Sequence, residues 1–218
     1  MKFFFSYDPK LLLYGFLIVF FASYGQTFFI SLFNVEIRSF YNLSDGEFGF
    51  VYAISTLLSS FLLISFAKLI DHIDLRIYSL LVTLGLFLAC LGMAFLINNI
   101  FFLFVIIFML RFFGQGAMNH AGETTMARYF GKNRGKALSV ATLGGMTGVM
   151  FLPYISLNLI TNLNVSQHWL YASFSILIFI PFLFIALSGQ KVRHINFQKT
   201  LKNNPLNKKL RTRDIIKD

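Results

Sequence analysis

The sequence predicts an all-α, polytopic helical membrane protein, a single bundle of six membrane-crossing helices. Three observations carry this. Of the 218 residues, 56% are hydrophobic, 29 of them Phe, and the mean hydropathy is +0.68. Only 13% are charged, where soluble chains carry about 25%. The apolar residues also fall into six runs of membrane length, and a run of about 20 residues lets a helix cross a bilayer with every backbone polar group satisfied internally.

In chain order, Met1 to Lys10 is a short tail, followed by a first span over about 11–33. A basic start before an apolar run resembles a signal peptide. This run is too long for the apolar core of one and further spans follow, so it reads as uncleaved. Tyr24, Gly25 and Gln26 interrupt its lipid-like character. After a polar connection over 34–47, the second span covers about 48–67, with Ser55, Thr56, Ser59 and Ser60 on a hydroxyl-bearing face. A charged turn, Lys68 to Arg76, leads to the third span over about 77–97. Asn98 and Asn99 form a very short link to the fourth span, about 100–121, and a polar, basic turn follows over 123–136. The fifth span covers about 137–157, with Pro153 near its far end. A polar connection over 158–169 places His168 and Trp169 where an interface suits them. The sixth span covers about 170–187, and 189–218 is a polar, basic tail. The bundle thus occupies 1–188.

Six spans put both termini on one side of the membrane. Of the 19 Lys and Arg, 17 fall on that side, Arg38 falls on the other, and Arg111 lies within a span. Basic residues mark the cytoplasmic side, so both termini are predicted to be cytoplasmic, in an inner or plasma membrane. The net charge of +10 is therefore a topology signal, assisted by attraction to anionic lipid. No nucleic-acid-binding motif accompanies it, which excludes DNA or RNA as a partner. The single cysteine, Cys90, allows no intrachain disulfide, and the four scattered His give no metal-ligand spacing. No cofactor, metal or catalytic residue is predicted. A rhomboid-type intramembrane hydrolase would need a Gly-x-Ser nucleophile with an intramembrane His, and the sequence has no such pair.

The most informative stretch is Leu110 to Gly148. Arg111 sits about halfway along the fourth span. A charge at mid-bilayer costs roughly 2.5–3.5 kcal/mol on insertion scales, so it normally faces a partner or a polar cavity. Gln115 and Asn119 follow at helical spacing on the same broad face. Two readings of Arg111 stand: a solute or coupling pathway, or a helix glue that binds backbone carbonyls. Further on, Ala137, Ala141, Gly144, Gly145 and Gly148 line one face of the fifth span with small residues. These permit close helix approach in a membrane.

These residues also carry a family resemblance. Arg111-x-x-Gly114-Gln115-Gly116, then Tyr129-Phe130-x-Lys132-x-Arg134-x-x-Ala137, then Ala141-x-x-Gly144-x-x-x-Gly148, resemble the major facilitator superfamily, and more narrowly its monocarboxylate-transporter-like branch. Asn133, Lys136 and Ser139 depart from the branch signature. The turn Lys68 to Arg76 stands where the superfamily has G-x-L-A-D-R-x-G-R-K. Leu69, Asp71 and Arg76 match it, and Ala67 and Asp74 replace its glycines.

The resemblance implies secondary active transport of a small solute by alternating access, with an organic anion such as a monocarboxylate as the candidate solute and protons as a candidate coupling ion. It implies that the bundle is two inverted three-helix repeats, with Gly25-Gln26 in the first span answering Gly114-Gln115 in the fourth. Spans one and four then line the cavity, and Tyr24, Gln26, Arg111 and Gln115 become the predicted substrate-binding residues. Asp71 and Arg76 inherit a conformational latch, with Glu123 and Arg128 as a second ionic contact at the same turn. No intramembrane Asp or Glu offers a proton site; His120 and Glu123, near the cytoplasmic end, come nearest.

The resemblance covers the N-terminal half of a twelve-helix protein, and the tail resembles its interdomain linker. The expected partners are the solute, the lipid bilayer and a C-terminal six-helix half or a second chain. The alternatives are a half-transporter needing a partner or a truncated remnant without transport of its own.

Overall fold

The computed structural model describes residues 8–160 and 164–203, and every regular element among them is helical. Among the described residues five continuous helical stretches are each long and apolar enough to cross a membrane: Asp45–Asp71, Leu75–Ala94, Ile100–Tyr129, Gly131–Leu157 and Val165–Ala186. The pair Pro9–Gly25 and Thr27–Tyr41, bent by 44°, makes a sixth when taken as one span. We number the spans one to six in chain order. The chain is an integral, multi-pass membrane protein. The end of the tail, 204–218, lies outside the described residues, as do 1–7 and 161–163.

The helices run past the apolar stretches that announced them, because polar caps set their ends. Span one starts at Pro9, a residue whose missing N–H is no loss in the first turn, and the Asp8 carboxylate accepts from Leu11 N at 3.1 Å. Its second segment absorbs most of the expected polar connection and stops where Asn42 adopts φ 53°, the left-handed conformation that ends helices. Span two starts with a capping box, Ser44 and Glu47 each accepting from the other's backbone N–H. Span three begins at an Asp74 cap, and span six at an Asn164–Gln167 box.

Span four departs most from expectation. It continues as helix to Tyr129, so the polar turn predicted over 123–136 shrinks to a tight link around Gly131, where φ is +47°. Polar residues stay helical here because Thr125 and Met126 are buried against neighbours. His168 and Trp169 belong to the first turns of span six and are buried, with the Trp169 ring edge-on to Phe29 at 5.3 Å between centroids.

Span three is the most enclosed of spans two to six and packs on span six. Span one packs on span five along the predicted small-residue face. A Cβ on Gly144 would lie 2.0 Å from the Phe16 carbonyl oxygen, and one on Gly148 would lie 2.1 Å from Ser23 Oγ. On Gly145 the nearest atom would be Val19 Cγ1 at 3.2 Å. At Gly144 backbone thus meets backbone where a side chain would stand, which lets dispersion act at short range.

Candidate functional site

Spans one and four cross at Gly25 and Gly114, the two glycines paired by the internal repeat. A Cβ on Gly25 would stand 2.1 Å from the Leu110 carbonyl oxygen, and one on Gly114 would stand 2.6 Å from Gly25 Cα. Both spans are irregular at this crossing. Span one breaks at Gln26, whose backbone is extended (φ −81°, ψ 153°). Span four is wound as a π-helix from Leu110 to Met118. Such wide turns inside α-helices occur mostly as single insertions and often at functional sites.

The break in span one leaves the Gly25 carbonyl without a helical partner, and Arg111 supplies one. Arg111 Nη1 donates to Gly25 O at 3.2 Å and to Thr27 Oγ1 at 3.0 Å. The guanidinium carbon lies 5.3 Å from the centroid of the Tyr52 ring of span two, within cation–π range. The helix-gluing role of Arg111 is therefore real, but it uses only part of the group: Nε is buried and finds no hydrogen-bond partner.

Below this crossing lies a cavity of 380 Å³. Span four lines it with a polar stripe, Arg111, Gln115, Asn119, His120 and Glu123. Span two adds Thr56, Ser59 and Ser60, and span one adds Gln26. Three lining residues, Arg111, Gln115 and Thr56, each bury a polar atom without a partner. Buried polar groups in folded proteins are nearly always paired with protein or ordered water, so three together are a departure from the usual pattern. Asn119 is partly engaged, donating to Gln115 O at 2.9 Å. His120 and Thr124 lie 3.3 Å apart, ring nitrogen to hydroxyl.

Three of the four predicted substrate-binding residues, Gln26, Arg111 and Gln115, share this cavity. Tyr24 does not. It is buried in the packing between spans one and six, its hydroxyl 3.0 Å from Ser175 Oγ. It precedes the break by two residues, and the short helical turn Ser23–Gly25 carries its ring away from span four's polar stripe. Tyr52 and Thr27 went unnoticed in the sequence. A lone Tyr in an apolar run and a Thr beside a Gln give no signal until the break brings them to Arg111.

The predicted latch residues separate into three places. Asp71 and Arg128 form an ion pair, and Arg128 Nη1 also reaches Ile70 O at 3.4 Å. Arg76 points elsewhere: its Nε donates to Leu187 O at 3.1 Å, tying span three to the end of span six. Glu123 lies on the cavity wall, because span four stays helical there and keeps it in register with Asn119 and Gln115. The tail begins as a helix, Gln190–Asn203, docked on the same end of the bundle. Gln190 Nε2 donates to Tyr129 OH at 2.8 Å, and Arg193 makes two bonds to the Asp8 carboxylate at 2.6 and 2.8 Å.

Among the described residues no group of His, Cys, Asp and Glu is placed to hold a metal ion. The family model described as Major Facilitator Superfamily matches the chain over residues 15–215. No curated protein and no solved structure matches it.

Proposed function

The chain belongs to the Major Facilitator Superfamily, a family of membrane transporters of small solutes, and from this premise we propose that it carries a small organic anion, a monocarboxylate in class, through the cavity beneath Arg111. The observation that carries this reading is the set of unpaired buried atoms on Arg111 and Gln115 of span four and Thr56 of span two, which line one cavity. Arginine offers fixed charge and a planar set of donors that suits a carboxylate. The uncharged Gln26, Gln115, Ser59 and Ser60 supply further hydrogen bonds without a second cation. Alternating access then moves one bundle against another around this site.

The second bundle is a C-terminal half or another chain. The low burial of span two and of span five, 17% and 22%, supports this, since both leave broad faces for a neighbour or for lipid. Both termini are cytoplasmic in this reading, supported by the distribution of Lys and Arg. The Asp71–Arg128 pair then closes the cytoplasmic end as a latch. Protons are a candidate coupling ion, and His120 and Glu123 are the titratable groups besides Arg111 on the cavity wall.

Uptake of labelled lactate into cells expressing the full chain tests the reading. Unlabelled carboxylates should compete, and lactamide, similar in shape but uncharged, should not. Equal competition by both would overturn the anion assignment.

A further inference from the structure

Arg111 is held by two residues that the transport reading does not use. Thr27 opens the second segment of span one, directly after the break at Gln26. Its Oγ1 accepts from Arg111 Nη1 at 3.0 Å and from Tyr52 OH at 2.9 Å. A threonine hydroxyl has two acceptor sites, so these two donors occupy both. Tyr52 comes from span two, one turn before Thr56 of the cavity wall, and its ring lies 5.3 Å from the guanidinium carbon. One tyrosine thus acts twice: its ring contacts the cation, and its hydroxyl fixes the oxygen to which the cation donates.

An arginine side chain carries much rotamer freedom, and a receptor that has already lost that freedom binds more tightly than one that must lose it on binding. We propose that Thr27 and Tyr52 are positioning residues for Arg111, holding its guanidinium against the break in span one so that an incoming carboxylate meets a cation already oriented. The proposal rests on the reading of the cavity as an anion site. It also ties the charge to the shape of span one. Two of the three holders, Gly25 O and Thr27 Oγ1, flank Gln26. A change in the 44° bend therefore moves the cation.

Phenylglyoxal condenses with free guanidinium groups, so its rate of reaction with Arg111 reports how firmly that group is held. The rate is read by peptide mass spectrometry on the full chain in membranes. Arg38, in its ion pair with Asp45, serves as the internal reference. Thr27→Val and Tyr52→Leu should raise the Arg111 rate roughly three- to tenfold, the effect of losing one charge-assisted or cation–π contact. Thr27→Ser keeps the hydroxyl and should react as wild type. Tyr52→Phe keeps the ring and should fall between. Wild-type rates in all four variants would overturn the proposal, and so would a rise at Arg38 as large as that at Arg111. Lactate should slow the wild-type reaction at Arg111. If it does not, the anion reading fails, and the comparison of variants still decides whether Thr27 and Tyr52 hold the group.

Discussion

Arg111 of span four donates to the carbonyl of Gly25 in span one at 3.2 Å. The bond joins the only Lys or Arg within an apolar run to the peptide exposed by the break at Gln26. One residue thereby repairs a discontinuity and presents charge beside a cavity, and several consequences can be measured.

The glycine crossing tolerates no side chain. Gly114→Ala would put a Cβ 2.6 Å from Gly25 Cα. Overpacking of this kind costs about 1–3 kcal/mol, and here the obstacle is backbone that cannot swing away. The melting temperature of the purified protein should fall. Gly46→Ala, where a Cβ meets nothing within 4 Å, should leave it unchanged or raise it.

The packing of span five on span one should behave alike. Gly144→Ala meets the Phe16 carbonyl oxygen at 2.0 Å, whereas Gly145→Ala meets a single valine methyl at 3.2 Å. Gly144→Ala should lower the melting temperature well below that of Gly145→Ala. Equal effects would mean that the helices slide apart without loss.

Asp71 and Arg128 form a surface ion pair, with Asp71 59% exposed. Exposed pairs contribute about 0–1 kcal/mol to stability. Asp71→Asn should therefore leave the melting temperature nearly unchanged while shifting the balance of open and closed states, read as the reactivity of a cysteine placed at Ser60 on the cavity wall. The exchange Asp71→Arg with Arg128→Asp should restore the wild-type reactivity. Unchanged reactivity in Asp71→Asn would remove the latch.

Glu123 lines the cavity below Arg111 and makes no ion pair among the described residues. A carboxylate passing about 5 Å from it at an effective dielectric near 40 meets roughly 1.7 kcal/mol of repulsion. Glu123→Gln should lower the apparent Michaelis constant for an anionic solute severalfold at neutral pH. An unchanged constant would place Glu123 off the solute's path.

Much of this was legible in the sequence. The long apolar runs pointed to the class, and the glycine–glutamine pairs at Gly25 and Gly114 suggested a repeat linking spans one and four, but not the close crossing at those glycines. Helix ends were less legible, because caps such as Asp8, Ser44 and Asn164 extend helices into polar sequence that hydropathy reads as loop. A turn over 123–136 would release Glu123 from the stripe begun by Arg111, whereas the longer helix keeps it on the cavity wall. Tyr24 failed for another reason. It adjoins the break, and only the local backbone decides which side of a break a residue faces. Thr27 and Tyr52 carried no periodic signal, and their roles arise from three spans meeting at one point.

The most direct test compares labelled lactate uptake by wild type, Arg111→Gln and Arg111→Lys at equal surface expression. The account predicts that Arg111→Gln loses uptake by roughly tenfold or more, the effect of removing a charge-assisted bond. Arg111→Lys, which keeps charge but not the planar set of donors, should recover only part of it. Wild-type uptake in Arg111→Gln would contradict the account and leave Arg111 as a fastener of helices alone.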